Sequence, residues 1–176
     1  MTMPVRPETD RRIDELKAAF PRPGSALLPA LYLVQEEKGH IPEEAMVYLA
    51  GKIGVAPAFV AGVVSFYTLF HAKPVGRHHI QLCRTLPCAL RGAERVTEAL
   101  TAALGTEPNG TDPSGTFTLM EVECLGACDR APLVMVNDAW HERLTPEDAP
   151  RLVDDLRARG QAAVSGCHHV IEQRKP

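Results

Sequence analysis

Two stretches decide how this chain is read: HIQLCRTLPC, residues 79–88, and TFTLMEVECLGAC, residues 116–128. The first alternates like a strand over residues 79–83, and the second reads as a strand over residues 116–124. Each strand then runs into a cysteine pair. Cys83 and Cys88 form C-x4-C, and Cys124 and Cys128 form C-x3-C. Four of the five cysteines therefore sit at strand ends, where loops can fold over a buried inorganic core.

Several chemistries compete for those thiols. The N-terminal MTMPVRPETDRR has no apolar run behind its charges, so no secretory signal is read there. No stretch reaches the roughly 18 apolar residues of a membrane span. The expectation is a soluble chain in the cytosol or a similarly reducing compartment, where structural disulfides are rare. Structural zinc draws four thiolates onto one ion from tight knuckles. Here C-x4-C is at the wide end, and two pairs of unlike spacing suit two metal atoms better. A [2Fe–2S] cluster takes four thiolates, two per iron, and each short pair can serve one iron, so the cluster fits best. Plain buried or catalytic thiols are the remaining alternative, although C-x4-C is not the C-x-x-C of a thioredoxin active site.

The neighbouring residues suit a cluster. Gly126 sits where the backbone must curl towards the metal. Pro87 precedes Cys88 at an expected helix start, which would place that thiol near a positive helix end. Arg84, Arg91 and Arg130 lie close in sequence and would favour the more negative, reduced cluster; the alternative is that they are screened surface charges. Cys167 stands beside His168 and His169, three donors where a closed zinc site needs four, and reads as incidental. His78 and His79 read as surface.

Working outward, residues 9–70 read as helices separated by breakers. Ile13, Leu16 and Phe20 share one helical face, ended by Pro21-Arg22-Pro23-Gly24. Ser25 is placed to cap a second helix that runs to Gly39. Pro42, Glu43 and Glu44 open a third, closed by Gly54. After Pro57 comes a strongly apolar helix, AFVAGVVSFYTLF, which is expected to be buried against protein. HAKPVGR, residues 71–77, reads as a linker. Beyond it, residues 90–105 form a helix with Val96, Leu100 and Leu104 on one face, and 132–138 form a strand. A last helix opens at Thr145-Pro146-Glu147-Asp148 and ends near Arg159. The order β-α-β-β-α is thioredoxin-like in outline, so the fold class is α+β: a helical N-terminal domain, residues 1–75, then an α/β domain, residues 76–176, ending in a tail.

Composition narrows the functions. With 176 residues, 45% hydrophobic, 23% charged and a net charge of −3, the chain has an ordinary globular make-up and no basic excess for nucleic acid. Residues 41–70 have the rhythm of a helix-turn-helix. The second helix, however, offers Ala58, Phe59, Val60, Ala61, Gly62, Val63, Val64 and Ser65, not the polar side chains that meet base edges. An iron–sulfur transcription sensor is therefore the weaker alternative. No dinucleotide fingerprint or P-loop appears. A cluster without a substrate site points to one-electron transfer, with flavin and hydride chemistry in a partner.

On EEKGHIPEEAMVYLAGKIGV, VVSFYTLFHAKPVGRHHIQLC, CRTLPCALRGA and ECLGACDRAPLVMVND, the chain resembles the family of small iron–sulfur subunits, lettered E in bacteria, of respiratory complex I. The resemblance spans most of residues 30–148. It implies a helical N-terminal bundle followed by a thioredoxin-like ferredoxin domain, with one [2Fe–2S] cluster on Cys83, Cys88, Cys124 and Cys128. It further implies a subunit of NADH:quinone oxidoreductase, inactive alone and without catalytic residues of its own. The implied partners are the subunit that binds FMN and NADH and the adjoining large iron–sulfur subunit, with no nucleic acid and no direct membrane insertion. The implied place is the cytoplasmic peripheral arm of an inner-membrane complex, where the cluster holds one electron while the flavin releases the other. NAD-linked hydrogenases and formate dehydrogenases carry related subunits and are not separated by these motifs.

Overall fold

A computed structural model describes residues 4–159. The described residues form two compact units, divided between Pro74 and Val75. The first contains α1 (Pro7–Ala19), a 3-10 turn (Pro23–Ala26), α2 (Leu27–Lys38), α3 (Glu43–Ile53) and α4 (Pro57–Phe66). Ile13, Leu27, Leu31, Ile41, Leu49 and Val60 belong to its apolar core. Gly39 and Gly54 end α2 and α3 in the left-handed conformation, at φ +76° and +84°, which a residue without Cβ adopts at little cost. Pro42 precedes α3 at its N-cap, and Glu43 and Glu44 fill the first turn, where the helix dipole favours negative charge.

Two local expectations fail here. Ser25 lies inside the 3-10 turn, and α2 begins after Ala26 without a side-chain cap. The apolar stretch after Pro57 is not a buried helix. It stops being helical at Phe66, buries only Val60 and Val64, and leaves Phe59 and Phe66 56% and 77% exposed. A ten-residue helix lying on its unit turns one stripe inward, whatever residues occupy the other faces.

The second unit is a five-stranded sheet of order β2-β3-β1-β4-β5: β1 (His78–Cys83), β2 (Gly110–Thr111), β3 (Phe117–Val122), β4 (Leu133–Val136) and β5 (Ala139–Glu142). β1 is parallel to β3 and antiparallel to β4. The parallel pair needs a crossover, supplied by α5 (Leu86–Leu90) and α6 (Ala93–Leu104). Val96, Leu100 and Leu104 of α6 join Ile80, Leu82, Phe117 and Leu119 of the sheet and Val153 and Leu156 of α7 (Asp148–Arg159) in one core. Gly92, at φ +90°, separates α5 from α6, so residues 90–105 are not one continuous helix.

As the central strand, β1 is buried at all six positions. His78 and His79 are therefore core residues, 0% and 6% exposed, not surface ones. The His78 ring stacks on Phe117 with centroids 5.1 Å apart. Burial lowers its pKa, the Arg77 charge adds to this, and the Leu156 backbone opposes it. Where the chain enters β1, a Cβ on Gly76 would lie 2.6–2.8 Å from the Phe117 backbone, so the expected linker ends in a packed glycine.

Candidate metal centre

In the β1–β3 register, Cys83 faces Val122, and the Arg84 N–H donates to the Val122 carbonyl at 3.0 Å. The loops leaving these parallel strands therefore start side by side, and they carry the four cysteines singled out in the sequence. Cys83 ends β1, Cys88 lies in α5, Cys124 follows β3, and Cys128 begins a 3-10 turn (Cys128–Arg130) before β4. Cys83 and Cys88 are buried, while Cys124 and Cys128 are exposed. Cys167, His168 and His169 lie outside the described residues.

The sulfur environments differ. Cys83 Sγ is 3.2 Å from Thr85 Oγ1, and its thiol donates to the Glu123 carbonyl at 3.6 Å. Burial alone would raise its pKa. Hydrogen bonds from the Thr85 side chain and backbone, the Leu125 backbone and Cys88 outweigh burial, and the net direction is down. The Cys88 thiol is pushed up to about 11, first by burial and then by its hydrogen bond to Cys83, with the Cys83 and Cys128 charges adding to the rise and the Leu133 backbone opposing it. Pro87 does lie in the first turn of α5, yet burial and the neighbouring sulfur outweigh any help from this five-residue helix. On the other loop, the Gly126 N–H donates to Cys124 Sγ at 3.3 Å, and Gly126 sits at φ +80°. A residue with a Cβ is strained there.

Two arginines that flank these loops are matched by carboxylates. Arg84 pairs with Glu123 at 3.0 Å, and Arg130 pairs with Glu142 and, at 3.5 Å, with Asp129. All of these pairs are substantially solvent-exposed, so their net field at the sulfurs is small. Thr85 was not among the sequence candidates. A threonine two residues after the strand cysteine, at the foot of a helix, reads as an ordinary cap.

Cys83 and Cys88 are in mutual contact, and backbone N–H groups are directed at the Cys83 and Cys124 sulfurs, an environment that suits ligating thiolates. Among the described residues, no three His, Cys, Asp or Glu side chains converge as ligands of one ion.

This fold and these thiols agree with the match to known proteins: the chain belongs to the thioredoxin-like [2Fe–2S] ferredoxin family, which it matches over residues 13–157. Within that family it is similar to components of NADH-quinone oxidoreductases. It is 40% identical over 146 residues to the NADH-quinone oxidoreductase E 2 subunit of Rhizobium meliloti (strain 1021), covering 83% of this chain and 87% of that one. It is also 40% identical over 149 residues to NADH-quinone oxidoreductase subunit 2 of Thermus thermophilus, covering 83% and 82%. In fold it resembles a solved NAD+-reducing [NiFe]-hydrogenase in its H2-reduced state, with a TM-score of 0.65 at 23% identity, covering 78% of this chain and 23% of that chain.

Proposed function

We propose that this chain is the electron-carrying subunit of an NADH-quinone oxidoreductase, holding one [2Fe–2S] cluster on Cys83, Cys88, Cys124 and Cys128. The observation that supports this reading is that two loops leaving adjacent parallel strands carry the four cysteines, with Cys83 and Cys88 in hydrogen-bond contact. When bound, such a cluster accepts and returns one electron. The chain's own residues bury Cys83 and Cys88 against the core and direct N–H groups at sulfur. No nucleotide-binding motif is read in the sequence, so FMN and NADH are assigned to a partner subunit. That partner and an adjoining iron–sulfur subunit complete the peripheral arm in this account. The similarity to quinone-linked subunits at 40% identity over most of the chain favours this assembly over a hydrogenase, for which the likeness is one of fold.

Electron exchange with the flavin is tested by mixing. The full chain, reduced anaerobically with dithionite and freed of excess reductant, is mixed with the oxidised flavin-bearing subunit. Bleaching of flavin absorbance is expected, with none from a Cys83→Ser chain. A stable complex of the two subunits in which the flavin stays oxidised would refute the exchange.

A further inference from the structure

We infer that Thr85 is a positioning residue whose hydroxyl donates a hydrogen bond to the Cys83 sulfur and thereby raises the reduction potential of the bound cluster. This rests on the proposal that Cys83 is a cluster ligand. Thr85 occupies the N-cap of α5 with extended backbone, φ −70° and ψ 167°. A threonine at that position ordinarily turns its oxygen onto a backbone N–H of the first helical turn. Here no side-chain cap bond forms, although the Thr85 carbonyl accepts from Ala89 N–H at 2.9 Å. The hydroxyl instead faces Cys83 Sγ at 3.2 Å, in a partly buried setting.

The donor is fixed by chemistry. In the free thiol either atom can donate, and the Cys83 S–H also reaches the Glu123 carbonyl. A ligating thiolate has no proton, so only the Thr85 O–H can supply the hydrogen between these two atoms. Adding one electron to the cluster increases the negative charge shared by its sulfurs. A hydrogen bond to a more negative acceptor is stronger, so this contact stabilises the reduced state over the oxidised one. Hydrogen bonds to sulfur are among the levers that set cluster potentials. Unlike Arg84 and Arg130, which are matched by exposed carboxylates, Thr85 acts directly on a ligand atom.

The test compares the full-length wild-type chain with Thr85→Val, Thr85→Ala and Thr85→Ser, each analysed for iron and acid-labile sulfide before redox titration by electron paramagnetic resonance. Absence of labile sulfide in the wild type would sink the cluster assignment itself, separately from the role of Thr85. With the cluster present, Thr85→Val is expected to shift the equilibrium against reduction about three- to tenfold. That is a midpoint about 30 to 60 mV lower, at about 59 mV per tenfold for one electron. Thr85→Ser is expected to restore the wild-type value. If Val loads poorly, Ala decides in the same way. An unchanged potential in a loaded variant lacking the hydroxyl, or a Ser variant as low as Val, would overturn the inference. So would loss of the cluster from both Val and Ala variants while Ser loads, because the hydroxyl would then serve assembly instead of potential.

Discussion

The two cysteine-bearing loops leave the same end of the sheet, yet they are built differently. Cys83 and Cys88 are each 2% exposed, one at the end of the central strand and the other on a helix against the core. Cys124 and Cys128 are exposed, and the described support for Cys124 is the turn at Gly126 and its N–H. The first pair is placed by the packing of the whole unit; the second is placed by the backbone of one loop. Substitutions in the first loop should therefore disturb the fold as well as the centre, and those in the second chiefly the centre.

The largest effect is expected one residue before Cys83. Leu82 is fully buried in β1, and Leu82→Ala should cost about 2–5 kcal/mol by urea unfolding of the cluster-free chain. A cost below about 1 kcal/mol, far under that range, would mean that β1 does not anchor Cys83. Next, Cys88→Ser buries a hydroxyl, more polar and smaller than the thiol that contacts Cys83 and the Leu133 backbone, and should cost the cluster-free chain about 1–3 kcal/mol. Cys124→Ser and Cys128→Ser should stay within about 0.5 kcal/mol of wild type, as exposed changes usually do. Equal costs for both pairs would erase the contrast between the loops.

Gly126→Ala sharpens the same contrast. An added Cβ would meet nothing within 4 Å, so the expected loss of about 1–2 kcal/mol comes from positive φ alone. Measured by urea unfolding, no loss would show that the second loop does not depend on its turn. A further effect tests the burial of β1. His78 has its pKa lowered by burial first and Arg77 second, and His71 is lowered by burial. The unfolded chain therefore binds protons at a higher pH than the native one. Stability is full above about pH 6.5 and falls as pH drops through and below that value. Replacing His78 with Phe, which keeps a ring against Phe117, should flatten part of this slope in unfolding curves between about pH 6.5 and 5, with His71 supplying the remainder. An unaltered slope would remove His78 from the account. The smallest shift is expected for Arg130→Glu: a lower cluster potential, but by less than for Thr85→Val, because Arg130 is already paired with Glu142 and Asp129. A larger shift than Val produces would reverse that order.

What was legible in the sequence was mainly local. Cysteine spacing marks the two loops, Gly126 marks the turn, and Gly39 and Gly54 mark helix ends, because each follows from a short-range chemical constraint. What depends on pairing partners was not legible. β1 alternates like a half-buried strand, and only its place between β3 and β4 buries His78, His79 and Gln81 as well. β5 carries no separate signal because Asn137 and Asp138 read as the end of a strand. Asn137 at φ +53° in fact turns the chain back, and Val136 pairs with Ala139. The contact of Thr85 with sulfur was hidden for a similar reason, since the residue type predicts a helix cap and only the end of β1 supplies the competing partner.

The most direct test of the central claim is metal and acid-labile sulfide analysis of the full chain isolated without oxygen, beside single serine variants of all five cysteines. The expected result is about two irons and two sulfides per chain, retained in Cys167→Ser and lost in the variants of Cys83, Cys88, Cys124 and Cys128. Stoichiometric zinc without sulfide, or a full iron complement in any of those four variants, would contradict it.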